Sequence, residues 1–336
     1  MVHFHLSIAK WYRQNSRNLP WRETKSAYFI WLSEIIMQQT RIEQGTAYYL
    51  KFITAYPTIF DLACASEQDV LNNWQGLGYY SRARNLHFTA KHIVNELNGE
   101  FPSTYAEIIK LKGIGSYTAA AIASFAFDEC RAVVDGNVYR FLSRLFDVGT
   151  PIDSTQGKKE FQLLADSLIE NAKPALHNQA MMEMGSLICA PKPSCEICPV
   201  NLHCIALKNK TVEDRPVKSK KTKVRDRYFH YIIYVSNKKT IITQRTEKDI
   251  WQKLYQFPLI ESTHSNAPTH LEDIIESSSE PIKHILSHQH IYAVFHRVHE
   301  IPKKLNADWL IIDRDCIQDY PLPRIIDRYL EVTANE

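Results

Sequence analysis

The segment LKGIGSYTAAAIASFAFDECRAVVDGN, residues 111–137, constrains this chain more than any other. It opens with a Gly-Ile-Gly turn at 113–115 that leads into an alanine-rich helical stretch. Because glycine lets the main chain approach a ligand closely, backbone N–H groups of this turn can bind a phosphate group. The segment ends in an isolated carboxylate, Asp135, eighteen residues after Tyr117. It therefore predicts a helical scaffold that presents a carboxylate to whatever the turn has bound.

The composition is that of a folded protein of two or three domains. The chain has 336 residues, of which 45% are hydrophobic and 23% charged, and this excludes a disordered protein. No apolar run approaches the roughly 20 residues that cross a bilayer, and the first residues, MVHFHLSIAKWYRQ, lack a signal-peptide pattern. We expect a monomer in the cytoplasm, associated with the nucleoid in a bacterium, or in the nucleus if the host is a eukaryote.

Positive charge is concentrated in one segment, residues 208–227. It holds nine Lys and Arg against three Asp and Glu, or +6, whereas the whole chain carries +3 and the remainder therefore −3. Such a run is typical of a solvated linker, and it is also compatible with contact to a polyanion.

The hydrophobic period changes at this basic segment. Up to about residue 207 the pattern is helical, with N-caps predicted at Ser26 and Ser66. Beyond it, YFHYIIYVSNKKTIITQR predicts a β-hairpin, and further strands are expected in LYQFPLIE, IKHILSHQHIYAVFHRVHEI and DWLIIDR. Helices are predicted near THLEDIIESS, residues 269–278, and near RIIDRYLEV. The fold class is therefore a mainly α domain followed by a smaller α/β domain.

Four cysteines, Cys189, Cys195, Cys198 and Cys204, lie within sixteen residues in a C-x5-C-x2-C-x5-C pattern. At this density in a cytosolic protein, cysteines indicate a metal site rather than disulfides. Four thiolates bind either a [4Fe–4S] cluster or tetrahedral zinc. Zinc sites more often contain two CxxC pairs and this segment has one, so we favour the cluster and keep zinc, or no metal, as alternatives.

Two carboxylates are candidates for acid–base chemistry. Glu34 lies in LSEIIMQQT beside apolar Ile30, Trp31 and Ile35, where it is either a boundary residue or an acid whose pKa is raised by desolvation. Asp135 precedes Gly136 and is expected to cap a helix N-terminus. Cleavage of a glycosidic bond uses two such groups, an acid on the leaving group and a carboxylate beside the cationic sugar.

Two adjacent tyrosines, Tyr79 and Tyr80, follow a Gly-Leu-Gly turn. Paired aromatic residues are more often core, but the turn favours a position near the surface. There, aromatic and amide side chains such as those of Gln38 and Gln39 can enter a base stack and hold a kinked duplex open.

Together these residues resemble the MutY adenine DNA glycosylases of the helix-hairpin-helix superfamily. The resemblance covers nearly the whole chain and is carried by LPWR (19–22), WLSEIIMQQTR (31–41), WQGLGYYSRARNL (74–86), LKGIGSYTAAAIASFAF (111–127), VDGNVYRFLSRLF (134–146), the cysteines, LYQFPLIE (254–261) and KHILSHQHIY (283–292). It implies a glycosylase domain over 1–207, with a six-helix barrel over about 22–130 and an iron–sulfur domain formed by 1–21 and 131–207. A basic linker at 208–227 and a Nudix-like 8-oxoguanine recognition domain at 228–336 follow.

The resemblance also implies roles for individual residues. Glu34 is expected to protonate adenine and help activate water, and Asp135 to stabilise the oxocarbenium-like sugar, directly or through a transient covalent bond. Tyr117 and Asn137 are expected to support them by hydrogen bonding. The residues expected to contact DNA or the lesion are Arg22, Gln39, Leu77, Tyr79, Gly113, Gly115, Ser287 and His288. The implied cofactor is a [4Fe–4S] cluster on the four cysteines, and the resemblance allows a monovalent cation at the hairpin.

The residue at position 117 and two departures from the family's pattern refine these expectations. The related endonuclease III enzymes have a lysine at the position of Tyr117, and because a phenol cannot form an imine, we expect weak or no strand cleavage. The first cysteine gap is five residues, where six is usual in the family. Residues 228–336 contain no Gly-x5-Glu-x7-Arg-Glu run, so the domain lacks the glutamates of a Mg²⁺ site and is expected to recognise rather than hydrolyse.

Three rival functions fit parts of the same sequence. A related glycosylase that removes thymine from G·T mismatches can also carry a tyrosine at this hairpin. A lesion-binding protein without catalysis would keep the same architecture, and a nucleotide-pool Nudix hydrolase would use the C-terminal domain alone. The expected partner in the favoured interpretation is duplex DNA containing A·8-oxoguanine or A·G mispairs.

Overall fold

The computed structural model divides the chain into two compact units. The first comprises residues 1–63 and 88–220, and the second comprises residues 64–87 and 221–336. The predicted domain boundaries at 207 and 228 stay a prediction. The structure describes residues 4–219, 224–264, 266, 274–299, 301–302 and 304–333.

Helices dominate the chain before the basic segment, as the sequence pattern predicts. Their bounds are α1 Phe4–Asn15, α2 Ala27–Ile36, α3 Ile42–Ala55, α4 Ile59–Cys64, α5 Glu67–Trp74, α6 Ser81–Glu96, α7 Tyr105–Ile108, α8 Ser116–Phe127, α9 Gly136–Leu145, α10 Thr155–Ile169, α11 Pro174–Glu183 and α12 Ile205–Asn209, with α13 Arg324–Thr333 near the C-terminus. A short π-helix, Met184–Ile188, directly continues α11. Within the described residues, no helix combines the length and apolarity needed to span a bilayer.

Side-chain caps fix where several of these helices begin. Ser26 accepts a hydrogen bond from the Phe29 N–H, and Ser66 accepts one from the Asp69 N–H, so both predicted N-caps are confirmed. In the first unit, α1 packs against α11, and α2 packs against α8. A continuous apolar core that includes Ile8, Phe141, Phe161 and Met184 joins α1 to α9, α10 and α11. Burial of these faces holds the helices that carry the carboxylates.

The first part of the basic segment makes polar contacts within the first unit. Asp147, which follows α9, accepts hydrogen bonds from Asn209 at 2.9 Å and Thr211 at 2.7 Å, and it pairs with Arg215 at 2.9 Å. Farther on, the Ser219 N–H donates to Asp153 at 2.9 Å. The linker predicted over 208–227 stays a prediction, but several polar groups of residues 209–219 have partners on the helical scaffold. Residues 220–223 lie outside the described residues.

The second unit contains the β-strands. Their bounds are β1 Arg225–Tyr234, β2 Lys239–Gln244, β3 Tyr255–Gln256, β4 Leu259–Ser262, β5 Ser277–Ser278, β6 Ile282–Ile285, β7 Gln289–Val298 and β8 Trp309–Asp313. In one sheet β1 pairs antiparallel with β4 and parallel with β7, and β7 also pairs with β5 and β6; in the other, β2 lies between β3 and β8.

The predicted hairpin between β1 and β2 is only a tight turn. The strands belong to different sheets, and a single bridge joins Ser236 to Lys239. In the turn, Asn237 and Lys238 both have positive φ, +47° and +65°. Strand β1 pairs with β4 and β7 instead of with β2. Of the helix predicted over 269–278, residues 269–273 lie outside the described residues, and Ser277–Ser278 form β5.

Residues 64–87 are attached to the C-terminal part of the second unit by polar contacts. Gln75 donates to Asp327 in α13 at 2.8 Å, and Asn72 donates to the Asp319 carbonyl at 2.8 Å. The Tyr80 hydroxyl donates to the Leu322 carbonyl at 3.3 Å. These contacts hold the turn that carries Tyr79.

Candidate functional site

Helix α2 carries Glu34 into an apolar interior. Its residues from Ile30 to Ile36 are all buried, and Glu34 itself is only 7% exposed. A carboxyl group at such a position loses its hydration, and the cost falls mainly on the ionised form. Of the alternatives raised by the sequence, the structure therefore supports the buried acid rather than a boundary residue.

The glycine turn directs α8 against α2. Gly113 has a φ of +79°, which favours glycine, and Gly115 is the N-cap residue of α8. Tyr117 lies in the first turn of α8, and the next residue, Thr118, accepts a hydrogen bond from Gln38 at 3.3 Å. The turn thus places a helix N-terminus and a phenol on the same side of the first unit's core.

Asp135 caps α9, as predicted. One carboxylate oxygen accepts the Val138 N–H at 2.7 Å, and the other accepts the Asn137 side-chain amide at 2.8 Å. Arg140 in turn donates to the Asn137 side-chain oxygen at 2.9 Å, which fixes the orientation of that amide. The carboxylate is therefore held in one position by its own helix.

The two carboxyl groups act on a common neighbour, Tyr117. The Tyr117 hydroxyl donates a hydrogen bond to Glu34, and burial, followed by the charges of Glu34 and Asp135, raises the pKa of Tyr117 well above its usual value. Burial raises the pKa of Glu34 to about 7, opposed by the hydrogen bond from Tyr117. Burial also raises the pKa of Asp135, while the Val138 and Asn137 donors oppose that rise and favour the carboxylate. The structure thus brings residues 34, 117, 135 and 137 together.

Arg22 is held by a residue that the sequence analysis did not single out. Its guanidinium donates to Glu183 at 2.7 Å, and Arg17 pairs with the same carboxylate at 2.7 Å. Burial would raise the pKa of Glu183, but the hydrogen bonds from Arg17 and Arg22 lower it to about 2. The signal was available, because Glu183 stands in the apolar run AMMEMGSLI much as Glu34 stands in its own.

Gln39 lies in the turn after α2 and is exposed. Its φ is +56°, an uncommon conformation for a residue other than glycine. The backbone therefore holds this amide side chain away from the core of the first unit.

In the second unit, the GLGYY turn presents Tyr79 and buries Leu77. Tyr79 is 46% exposed with a φ of +48°, whereas Leu77 is 8% exposed. The Tyr79 hydroxyl donates to Ser287 at 3.1 Å, and the Ser287 hydroxyl lies 3.3 Å from Nδ1 of His288. A cavity of about 230 Å³ is lined by these three side chains and by Trp251. The second unit thus joins three of the predicted lesion-contacting residues in one place.

The four clustered cysteines line one small cavity of about 30 Å³ in the first unit. None forms a disulfide, and burial raises the pKa of Cys198 to about 11. Arg144 binds the loop that follows Cys189, donating to the Ala190 carbonyl at 2.7 Å and the Pro191 carbonyl at 3.2 Å. Across the described ranges, no three Cys, His, Asp or Glu side chains are close enough to bind a single metal ion together.

Comparison with known proteins identifies the family. The family model described as HhH-GPD superfamily base excision DNA repair protein matches residues 32–166, and a NUDIX domain model matches residues 230–332. An adenine DNA glycosylase of Buchnera aphidicola subsp. Schizaphis graminum is 32% identical over 343 residues, which cover 97% of both chains. The chain belongs to the adenine DNA glycosylase family. It is therefore a DNA N-glycosylase.

Other relatives of this glycosylase match over part of its length. The mouse adenine DNA glycosylase is 42% identical over 214 residues, which cover 60% of this chain and 41% of the mouse protein. A thermostable thymine-DNA glycosylase is similar in structure with a TM-score of 0.57 and 29% identity, covering 61% of this chain and 95% of that one. A trapped endonuclease III–DNA covalent intermediate, at 21% identity and a TM-score of 0.54, shares the fold. The fold class predicted from the sequence, a helix-hairpin-helix domain followed by a smaller Nudix-like α/β domain, is confirmed.

The donor chemistry of the cysteine loop fits the cluster that the family implies. Four thiols line one cavity, and four cysteine thiolates are the donor set that a [4Fe–4S] cluster takes.

Proposed function

We propose that this glycosylase removes adenine mispaired with 8-oxoguanine, or with guanine, from duplex DNA and leaves the DNA strand intact. The observation that supports the chemistry is that Glu34, through a hydrogen bond and its charge, and Asp135, through its charge, both act on Tyr117, while their own surroundings differ. Glu34 retains its proton to about pH 7, whereas Asp135 has hydrogen-bond donors that favour its ionised form. One acid and one carboxylate are the two groups that glycosidic hydrolysis requires.

The proposed reaction begins with the adenine extruded from the duplex, which costs a few kcal/mol and least for a mispaired base. Glu34 transfers its proton to a ring nitrogen of the adenine as the bond between N9 and C1′ breaks, and the electron pair leaves with the base. The Asp135 carboxylate stabilises the positive charge that develops on the sugar. Glu34, now ionised, accepts a proton from water, whose oxygen bonds to C1′, and the acid is restored.

The absence of strand cleavage follows from Tyr117. Cleavage by a lyase needs an amine that forms an imine with C1′, and the residue at the hairpin position is a phenol. Alkali-dependent strand breaks at adenine are expected, with no breaks before alkali. Borohydride trapping as efficient as that of a lyase control would contradict this part of the proposal.

Recognition of 8-oxoguanine is assigned to Tyr79, Ser287 and His288. The hydroxyl-to-hydroxyl contact between Tyr79 and Ser287 supports this role, because it joins an exposed aromatic ring to a polar group that can bond a base edge. Gln39, Arg22 and Leu77 are assigned to the base and lesion contacts, and Gly113 and Gly115 to the DNA phosphate.

The deciding assay measures base release from A·8-oxoguanine, A·G and T·G duplexes. Adenine release that is fastest opposite 8-oxoguanine supports the proposal, and preferential thymine release from T·G would overturn it. Ser287→Ala is expected to lower the preference for 8-oxoguanine over guanine about fivefold, the value of one hydrogen bond of about 1 kcal/mol. Ser277→Ala, an exposed serine on β5, is the matched control and should leave the preference unchanged.

Cys189, Cys195, Cys198 and Cys204 are proposed to hold a [4Fe–4S] cluster. When bound, the cluster would cross-link the π-helix end, at Cys189, to the segment that precedes α12, and so stabilise this part of the fold. Iron and sulfide in the purified protein, with a visible absorption band, would support the assignment. Stoichiometric zinc without iron would overturn it.

A further inference from the structure

A second and larger cavity lies in the C-terminal part of the second unit and has no part in the proposed chemistry. Its volume is about 580 Å³, within the range of small-molecule sites. Its walls come from the end of β1, the start of β2, β7, the 3₁₀-helix Arg314–Asp319 and α13. None of the residues assigned above to catalysis, lesion contact or the cluster lines it.

Three cationic side chains from separate elements converge on this cavity: Lys238, Arg297 and Arg314. None of the three has an ion-pair partner among the residues that the structure describes, whereas Arg227, Arg245 and Arg324 in the same unit are all paired. The Arg314 backbone N–H donates to the Lys238 carbonyl at 2.8 Å, so the backbone segments that carry two of these three side chains are joined. Asp315 is the acidic residue on the lining, so the net charge of the lining is positive.

The buried part of the lining, here called the floor, is apolar. Ile233, Phe257 and Tyr329 form it, and all three are nearly inaccessible to solvent.

We propose that this cavity binds a mononucleotide, with its phosphate among Lys238, Arg297 and Arg314 and its base against the apolar floor. Guanidinium and ammonium groups are the side chains that bind phosphate best. The flat face of a nucleotide base can pack against the apolar floor. The site is concave with a buried floor, so a free nucleotide fits it better than the backbone of a duplex does. The inference does not depend on the roles assigned to Glu34, Asp135 or Ser287.

The test is equilibrium dialysis of the full-length protein, in phosphate-free buffer at low salt, with thymidine monophosphate. This nucleotide avoids the adenine site. Saturable binding of one equivalent is expected, with at least tenfold weaker binding of thymidine and of inorganic phosphate. No saturable binding, or equal binding of thymidine, would overturn the proposal.

Two variants connect the binding to the cavity. Arg297→Gln combined with Arg314→Gln is expected to weaken binding at least tenfold. Lys248→Gln combined with Lys304→Gln removes the same charge from exposed positions outside the cavity and is expected to change the affinity less than twofold. An unchanged affinity in the double arginine variant would refute the site, and adenine release by both double variants should match that of the wild type.

Discussion

Two buried glutamates in the first unit have opposite electrostatic surroundings. Glu34 is 7% exposed and Glu183 is fully buried, so both have lost most of their hydration. Burial raises the pKa of Glu34 to about 7, and its direct donor is the neutral Tyr117. The same effect acts on Glu183, but two guanidinium groups overcome it and lower the pKa to about 2. Burial alone therefore does not decide whether a carboxyl group is protonated at neutral pH. The charge of its hydrogen-bond partners decides it.

This difference separates a proton donor from a structural anion. With its pKa lowered to about 2, Glu183 is ionised at neutral pH, and it anchors Arg17 and Arg22 by 2.7 Å contacts. With its pKa raised to about 7, Glu34 can exchange a proton near neutrality, as the acid proposed for the reaction must. Four experiments can break or sharpen the comparison.

The largest effect is expected for Glu183→Ala. Removing one partner of a buried ion pair leaves the other charges uncompensated, which typically costs about 3–5 kcal/mol. Because Arg17 is 32% exposed, we expect the lower end, about 3 kcal/mol in the free energy of unfolding by urea. Glu96→Ala, at an exposed position on α6, is the control and should change it by less than about 0.5 kcal/mol. A loss below about 1 kcal/mol would contradict a structural role for Glu183.

Glu34→Gln is expected to slow adenine release by ~100-fold or more, because the amide cannot donate the proton to the leaving base. The measurement is the single-turnover rate on an A·8-oxoguanine duplex, with duplex binding measured separately and expected to survive. Asp135→Asn should show a loss of similar size. The control is Glu43→Gln, an exposed glutamate on α3. Wild-type turnover in the Glu34 and Asp135 variants would refute both assignments.

Glu34→Gln is also expected to stabilise the fold at high pH, relative to the wild type. Burial raises the folded-state pKa of Glu34 above its ordinary value of 4.5. Its stabilising contribution is therefore fully present below pH 4.5 and is lost as the pH rises through about 7. The difference in the free energy of unfolding by urea between Glu34→Gln and the wild type should therefore shift in favour of the variant by about 2 kcal/mol from pH 5 to pH 8. An equal difference at both pH values would show that Glu34 is not a desolvated acid.

The smallest expected effect is the slope of the pH–rate profile. Because Glu34 is proposed to act in its protonated form, the single-turnover rate should fall as the pH rises through about 7, approaching tenfold per pH unit. Glu34→Gln should abolish this slope while its residual rate stays low. A wild-type rate that is constant from pH 6 to pH 9 would exclude Glu34 as the proton donor.

Local features of the fold were predictable from the sequence because they depend on neighbouring residues. The Ser26 and Asp135 caps and the glycine at +79° follow from local backbone chemistry. Glu34 was found because a carboxyl group in an apolar run is conspicuous. Its roughly neutral pKa, however, depends on Tyr117, more than eighty residues away, and on the way α2 packs against α8.

Features that depend on distant partners were missed. Glu183 is paired with arginines more than 160 residues away, and no local pattern indicates that pairing. The local sequence predicts a hairpin at the β1–β2 turn, but the parallel partner of β1 is β7, some 60 residues later. The contacts of the basic segment with Asp147 were not foreseen either, because Asp147 follows a helix far upstream.

The left-handed backbone at Gln39 has a consequence for how this enzyme can be altered. A glycine there would adopt the same φ of +56° without strain, so a variant chosen for folding alone would readily accept it. That change would also delete the amide proposed to enter the DNA. A screen for thermal stability alone would therefore favour Gln39→Gly, which gives a well-folded protein without the amide side chain proposed to enter the duplex.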